Sequence, residues 1–369
     1  MVAAGAEPIG QRVTLLLSNE EVHALLPMPE CIAALEDAYP ELAAGRGVNR
    51  RRSDTFAATA RPDALYSLKS MDGIAPSLGV GAVRINSDIV TWPSRGGNAR
   101  REKVPAAPGG RWVGLVLLFS SETGEPLAIF PDGYLQRLRV GATNGLGAKY
   151  LSREDARTVG LLGSGWQASG QLMAIVAVRR IAKVRCYSTS AENREAFATR
   201  MSAELGVEIE PVASADAAVR GADVVLCATN SIEHVLFQRQ VEPGMHLSSI
   251  KRPEIEFAAI RAADRVIVHT HEEKPMHFIA AGLNVPEASE GKGWSLGADA
   301  DFRSFPQLQD LIAGRVSGRA SASEVTCFLN NIGMGFQFAA AGAAVYRKAK
   351  ERGVGRELPT EWFTEDVHP

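Results

Sequence analysis

Two glycines, Gly163 and Gly165, fall directly after a short apolar run, Thr158–Leu162, and directly before a helical pattern that begins near Gln167. That placement suits the binding of a phosphate group. The first glycine permits a tight turn, the second lets backbone approach the anion, and the helix start offers unpaired N–H groups. With Ser164, Trp166, Gln167 and Ala168 the loop reads G-x-G-x-x-A, where Ala168 supplies the small residue needed between helix and strand. In a strand–turn–helix setting this predicts a dinucleotide-binding loop rather than a structural turn. The next strand ends at Tyr187-Ser188-Thr189-Ser190, where a domain selective for NAD usually carries an acidic residue for the ribose. No acidic residue occurs between Gly165 and Glu192; the hydroxyls of Ser188, Thr189 and Ser190 and the cation Arg194 stand there instead. Such a turn is expected to accept a 2′-phosphate, so NADP is favoured over NAD. The alternative is a polar loop with Arg194 turned to solvent.

A second group of chemistry-bearing residues is His269, His271, Glu272, Glu273 and His277. Alternate residues on a strand share a face, so a pair of these could meet a metal ion. They follow the last apolar run of an alternating region, where polar loops occur anyway, and no metal is expected. His246 falls inside an apolar run and reads as a buried, hydrogen-bonded residue. Cys31, Cys186, Cys227 and Cys327 are scattered without C-x-x-C spacing. They support neither a disulfide framework nor a zinc site and fit a reducing, cytoplasmic setting.

The elements that must position these groups change character along the chain. Met28–Gly45 reads as an amphipathic helix, and Trp112–Ser120 as a buried strand followed by a turn at Thr123-Gly124. Trp92–Arg111, with its proline, glycine and arginine content, reads as a solvated loop insertion. From Arg157 onward, Thr158–Leu162, Val184–Tyr187, Asp223–Ala228, His246–Ile250 and Arg265–Val268 are short apolar runs. The helical stretches Gln167–Arg180 and Asn193–Leu205 lie between the earlier ones, which indicates a parallel sheet covered by helices. Phe336–Arg352 is an alanine-rich helix, too long for a connector in such a domain. The expected fold class is α/β: a Rossmann dinucleotide-binding domain at 139–319 inserted into an α+β domain built from 1–138 and 320–369. A chain of 369 residues is long enough for both. A net charge of -2 gives no reason to expect nucleic acid or an anionic membrane as partner. No apolar run reaches the roughly 18–20 residues that a membrane-spanning helix needs. The first residues lack the basic stretch and apolar core of a signal peptide.

The loop Gly163-Ser164-Gly165-Trp166-Gln167-Ala168 resembles the G-x-G-x-Q-A loop of the ornithine cyclodeaminase/mu-crystallin family. Arg139–Leu151 is similar to that family's arginine-led helix. Glu242–Ile250 and the G-R-x-S-x-x-E-x-T-x-F stretch from Gly318 to Phe328 add two further matches in the right order. The resemblance implies a substrate-binding and dimerisation domain made from both chain ends, a Rossmann domain, a homodimer and a small amino- or imino-acid substrate. It implies that Arg139 binds a substrate carboxylate, a task that suits a guanidinium fork. Arg52 matches an earlier pocket arginine, and either Lys69 or Arg84 matches the pocket lysine. Lys69 is favoured as the proton-transferring or carbonyl-polarising group, because arginine scarcely titrates. Thr229, Asn230 and Ser231 are expected along the cofactor.

Departures from the family matter as much. Cyclodeaminases carry an aspartate after the fourth-strand threonine; here Ala228-Thr229-Asn230-Ser231 has no carboxylate, and serine is a poor proton acceptor near neutral pH. The family's Arg-Thr pair appears as Arg139-Val140 and its Met-Pro-Ala segment as Met71-Asp72-Gly73. Phe338 stands where an aspartate is usual, and Lys251 where a small residue is usual. The resemblance therefore implies a divergent member near the imine reductase and amino-acid dehydrogenase branch. The expected activity is NAD(P)H-dependent reduction of a small α-imino acid. The rivals are a cyclodeaminase with bound NAD and a non-catalytic binding protein like mu-crystallin. From Arg46 to Arg139 there are 14 Lys and Arg against 8 Asp and Glu. That surplus, with Lys251, raises the expectation of an imino diacid, with Arg139 on one carboxylate and Lys251 on the other. The alternative leaves Lys251 in solvent or paired with Glu254 or Glu256.

Overall fold

Val80–Thr91 buries every second side chain, from Val80 through Ala82, Arg84, Asn86 and Asp88 to Val90. This is the period-two signature of a strand with one face on a core. The structure, a computed structural model, describes residues 12–95, 98–99, 102–231, 233–251, 254–272, 275–283, 285 and 302–366. Among these, Val80–Thr91 lies inside a ten-stranded mixed sheet. Its main path runs Met276–Ile279, Ser53–Ala58, Ala64–Ala75, Val80–Thr91, Val113–Ser120, Pro126–Pro131, Val13–Leu16 and Arg356–Pro359. The helices Met28–Ala43, Gly133–Leu151 and Gly335–Arg352 supply buried residues to the core that this sheet shares.

The second sheet is seven-stranded, and all its pairings are parallel. Its order is Glu208–Pro211, Lys183–Tyr187, Thr158–Leu162, Val224–Cys227, His246–Ser249, Thr326–Leu329, Arg265–Val268. The centre-out winding from Thr158–Leu162 is that of a Rossmann domain. The five apolar runs expected as strands all lie in it.

Three expectations need correction. Thr326–Leu329, assigned by the 319/320 boundary to the other domain, is a fully buried strand of the Rossmann sheet, between His246–Ser249 and Arg265–Val268. Met276–Ile279, placed within 139–319, pairs instead with Ser53–Ala58 in the first sheet. Within the 92–111 segment read as loop, Glu102–Val104 forms a strand on Val80–Thr91. Four-residue strands and edge pairings carry too little periodic signal to be assigned alone.

Glycines bring the helix Gly133–Leu151 against the helix that follows the glycine loop. A Cβ on Gly141, in Gly133–Leu151, would lie 2.3 Å from the carbonyl oxygen of Gly170, in the helix Trp166–Val178 that follows the glycine loop. One on Gly170 would lie 2.7 Å from Cγ of Arg137. The backbones touch there, so the helix bearing Arg139 is fixed against the helix that begins at Gly165.

A methyl group at this crossing has a rigid carbonyl in its way. Gly141→Ala is expected to cost about 1–3 kcal/mol, the usual penalty for overpacking, read as a Tm lower by several degrees. Gly165→Ala is the contrast, since its Cβ would meet nothing within 4 Å. Its Tm should match the parent protein's. Equal Tm values for both variants would remove the crossing as a constraint.

Candidate active site

The glycine loop has the geometry that its residue types predict. Gly163 takes φ +121°, and a Cβ there would lie 2.2 Å from the carbonyl oxygen of Ala228, so only glycine fits. Gly165 is the N-cap of Trp166–Val178 and provides no side-chain cap. The first-turn N–H groups of that helix are therefore available to an anion. The open space above Gly165 is the cradle a pyrophosphate requires, and Ala168 is fully buried against the sheet. Ser164 Oγ donates to Ser188 Oγ at 2.9 Å, joining this loop to the hydroxyl turn. Arg194 Nη1 donates to Ser188 O at 3.0 Å and so lies along that turn rather than in solvent. Ser190 caps the next helix through Asn193 N, while Thr189 is exposed. Trp166 is half exposed, and Arg137 lies over its ring at 4.1 Å. Gln167 Oε1 is buried without a hydrogen-bond partner among the described residues.

At the ends of two neighbouring strands the chain closes on Glu254. This buried carboxylate accepts from Thr229 N at 2.6 Å, Thr229 Oγ1 at 2.8 Å and Ile250 N at 3.1 Å. Burial raises its pKa, and those donors oppose the rise. Asn230 is exposed, and Ser231 Oγ donates to Glu233 O. Lys251 is partly buried; burial lowers its pKa while Glu254 acts in the opposite sense.

A row of charges lies on the inner face of the first sheet. Strand register sets Asp54 opposite Lys69, Lys69 opposite Asn86, and Met71 opposite Arg84. Arg52 makes a two-pronged ion pair with buried Asp54, both contacts 2.8 Å. Arg84 Nε donates to Asp132 Oδ2 at 2.6 Å, and Asn86 Nδ2 donates to the same oxygen at 3.2 Å. Gly114 permits that approach, since a Cβ on it would lie 2.0 Å from Asp132 Oδ1. Lys69 Nζ lies 4.0 Å from Asp88, whose other oxygen is 2.9 Å from Lys103 Nζ.

Arg139 differs from these. Among the described residues, the oxygens on its guanidinium are neutral: Gln136 Oε1 at 2.6 and 3.2 Å, and Gln337 Oε1 at 3.0 Å. It is 5% exposed, and Phe338 lies under it at 5.1 Å and under Arg84 at 5.7 Å. Burial, and then the guanidinium of Arg84, depress its pKa to about 9; Arg52 adds to this, and Asp132 opposes it. Arginine keeps its proton in proteins. The cation is thus held in the fold by neutral oxygens and a ring face among the described residues.

Sequence reasoning missed the groups behind Arg139. Gln337 Nε2 donates to Tyr39 Oη at 3.2 Å, and Tyr39 Oη lies 2.7 Å from His269 Nε2. His269 Nδ1 lies 2.6 Å from Ile332 O, so Nδ1 carries the proton and Nε2 accepts from tyrosine. His269 is therefore a buried neutral link, not a metal ligand. Neutral amides and a phenol at these spacings carry no motif by which they could have been found.

Burial lowers the pKa of His269 from an ordinary 6.5 to about 3, and that of His246 likewise. The unfolded chain takes up these protons from about pH 6.5 downward, while the folded chain refuses them until about pH 3. Stability is thus complete above pH 6.5 and falls with pH between those values. A His269→Asn variant, which can still donate to Ile332 O, should show a shallower fall of Tm across that window. An unchanged slope would mean that the ring is not held neutral.

The residues 97–353 match the model of the ornithine cyclodeaminase/mu-crystallin family. A Delta(1)-pyrroline-2-carboxylate reductase of Bacillus cereus is 30% identical over 349 residues, which cover 93% of this chain and 99% of that protein. The structure of Thermococcus litoralis Delta(1)-pyrroline-2-carboxylate reductase in complex with NADH and L-proline matches with a TM-score of 0.75. It is 26% identical, over 94% of this chain and 100% of that one. An archaeal alanine dehydrogenase dimer with bound NAD gives a TM-score of 0.74 at 25% identity, over 94% of this chain and 99% of its own. With the glycine loop, the parallel sheet and the Arg139 helix in place, the chain belongs to the ornithine cyclodeaminase/mu-crystallin family.

Proposed function

We propose that this protein is an NAD(P)H-dependent reductase of a small α-imino acid, able to run in reverse as an amino-acid dehydrogenase. One observation carries the reading: a buried arginine held by neutral oxygens on a helix that touches the helix of the dinucleotide loop. The activities of the relatives named above support it. When bound, the nicotinamide supplies the hydride that reduces the C=N carbon. The chain's own share is positioning and charge. Arg139 takes the substrate carboxylate and fixes which carbon faces the cofactor. Lys69 stands on the same sheet face as Arg84 and Asp88 and serves the imine nitrogen as polarising group and proton source. Arg52 and Arg84 already hold Asp54 and Asp132, so the cation surplus does not call for a second carboxylate. A substrate with one carboxylate fits this charge balance best.

The cyclodeaminase reading needs a free proton acceptor near Ser231. The buried carboxylate at this loop, Glu254, already accepts from three donors, and the nearby Glu233 is exposed. For the cofactor, Arg194 beside Ser188 and the absence of an acid in the turn favour NADPH. We also read the assembly as a homodimer. Leu68, Ile74, Val113 and Leu115 alternate with inward residues and are exposed on the outer face of the first sheet. Exposed apolar residues on one face of a sheet favour cover by a second copy.

Turnover distinguishes the readings. With Delta(1)-pyrroline-2-carboxylate, or with pyruvate plus methylamine, NADPH should be oxidised at enzymatic rates and at least as efficiently as NADH. Ser188→Asp should reverse that preference by repelling the 2′-phosphate. Ammonia released from ornithine without net NADPH consumption would establish the cyclodeaminase; binding without turnover would establish the binding protein.

Light scattering should give twice 39.5 kDa, and Leu115→Asp should shift it towards the single-chain mass. A parent protein that scatters as one chain would end the dimer reading.

A further inference from the structure

Gln337 forms a junction. Its Oε1 accepts from Arg139 Nη1 at 3.0 Å and from Met334 N at 3.1 Å. Its Nε2 donates to Tyr39 Oη and to Thr143 Oγ1, and Thr143 Oγ1 donates to Arg139 O at 2.7 Å. Tyr39 Oη donates its own proton to His269 Nε2, and His269 Nδ1 ends the chain on Ile332 O. Each donor in this series finds an acceptor in the next group, so one proton arrangement satisfies the whole set. Gln337, Tyr39 and Thr143 are fully buried, and His269 nearly so. A satisfied buried network of this kind specifies one conformation, and a single broken link leaves polar groups stranded.

The groups come from four separate places. Tyr39 lies on Met28–Ala43, Arg139 on Gly133–Leu151 and Gln337 on Gly335–Arg352. His269 immediately follows Arg265–Val268, a strand of the Rossmann sheet. Gly333 completes the seat, since a Cβ there would lie 2.1 Å from Arg139 Nη1. A glutamate at 337 could make the same contact with Arg139 but would cancel its charge. Glutamine orients the guanidinium and leaves the charge available.

From this we infer that Gln337, Tyr39 and His269 are positioning residues that tie the orientation of Arg139 to the Rossmann sheet while leaving its cation for the substrate. The inference rests on the reading of Arg139 as the carboxylate site. It predicts that affinity for the substrate carboxylate depends on residues that never touch the substrate. A merely structural network would affect stability instead.

The test compares Gln337→Glu, Tyr39→Phe and Arg139→Met with the parent in the full chain. The measurements are KM and kcat with Delta(1)-pyrroline-2-carboxylate, L-proline binding to the NADH-loaded protein, NADH binding by fluorescence, and Tm. Gln337→Glu should raise KM and weaken L-proline binding at least tenfold, because its carboxylate competes for Arg139. kcat should change less than KM, and NADH affinity should stay within twofold. Tyr39→Phe, which removes one atom, should raise KM several-fold and keeps the test open if Gln337→Glu fails to fold. If Arg139→Met abolishes L-proline binding while Gln337→Glu and Tyr39→Phe bind it normally, or lose only Tm, the positioning role is wrong. If Arg139→Met itself binds L-proline as the parent does, the carboxylate site is elsewhere and both readings fall.

Discussion

A buried guanidinium compensated by amide oxygens is a costly thing to build, and the architecture around Arg139 is organised by that cost. Removing a charge from water carries an effective penalty of several kcal/mol unless partners replace the solvent. Gln136 and Gln337 replace the hydrogen bonds but not the charge. Phe338 supplies a ring face, a weaker electrostatic partner. Arg52 and Arg84, which would add repulsion, are each given a carboxylate of their own. On the proposed function, that remaining deficit, concentrated on one side chain, is met by the substrate carboxylate.

Selectivity of position follows from backbone contact rather than side-chain packing. Gly141 and Gly170 bring the Arg139 helix onto the cofactor helix, and Gly73 and Gly335 bring the C-terminal helix onto the strand that carries Lys69. At each crossing a Cβ would strike a neighbouring backbone atom. Backbone is less deformable than side-chain ends, so these contacts fix distances between elements that longer side chains would leave adjustable. Gly114 performs the same service for the carboxylate of Asp132.

How much of this was legible in the sequence depends on the kind of signal. The glycine loop and the five early Rossmann strands could be read because turn chemistry and alternation are local. Arg139, Lys69 and Arg84 came from motif resemblance, and all three lie at buried positions. The partners of Lys69 and Arg84 could not be read, because Asp88 and Asp132 meet these cations only through strand register or a close approach over glycine. Phe338 registered only as a missing aspartate, whereas in the fold it is the ring shared by Arg84 and Arg139. Thr326–Leu329 was missed because it joins a sheet whose other strands end some sixty residues earlier. Gln337 and Tyr39, being neutral, carry no charge pattern, and their roles appear only when four elements converge.

On the proposed function, a nicotinamide on this Rossmann domain gives its hydride to the carbon next to the substrate carboxylate. Following the hydride tests that most directly. The protein would be incubated with NADPH carrying deuterium on the transferred position of nicotinamide C4 and with Delta(1)-pyrroline-2-carboxylate, and the product examined by mass spectrometry and NMR. The expected product is proline with one deuterium, on the α-carbon. Proline without deuterium, or deuterium at any other carbon, would contradict this assignment of the site.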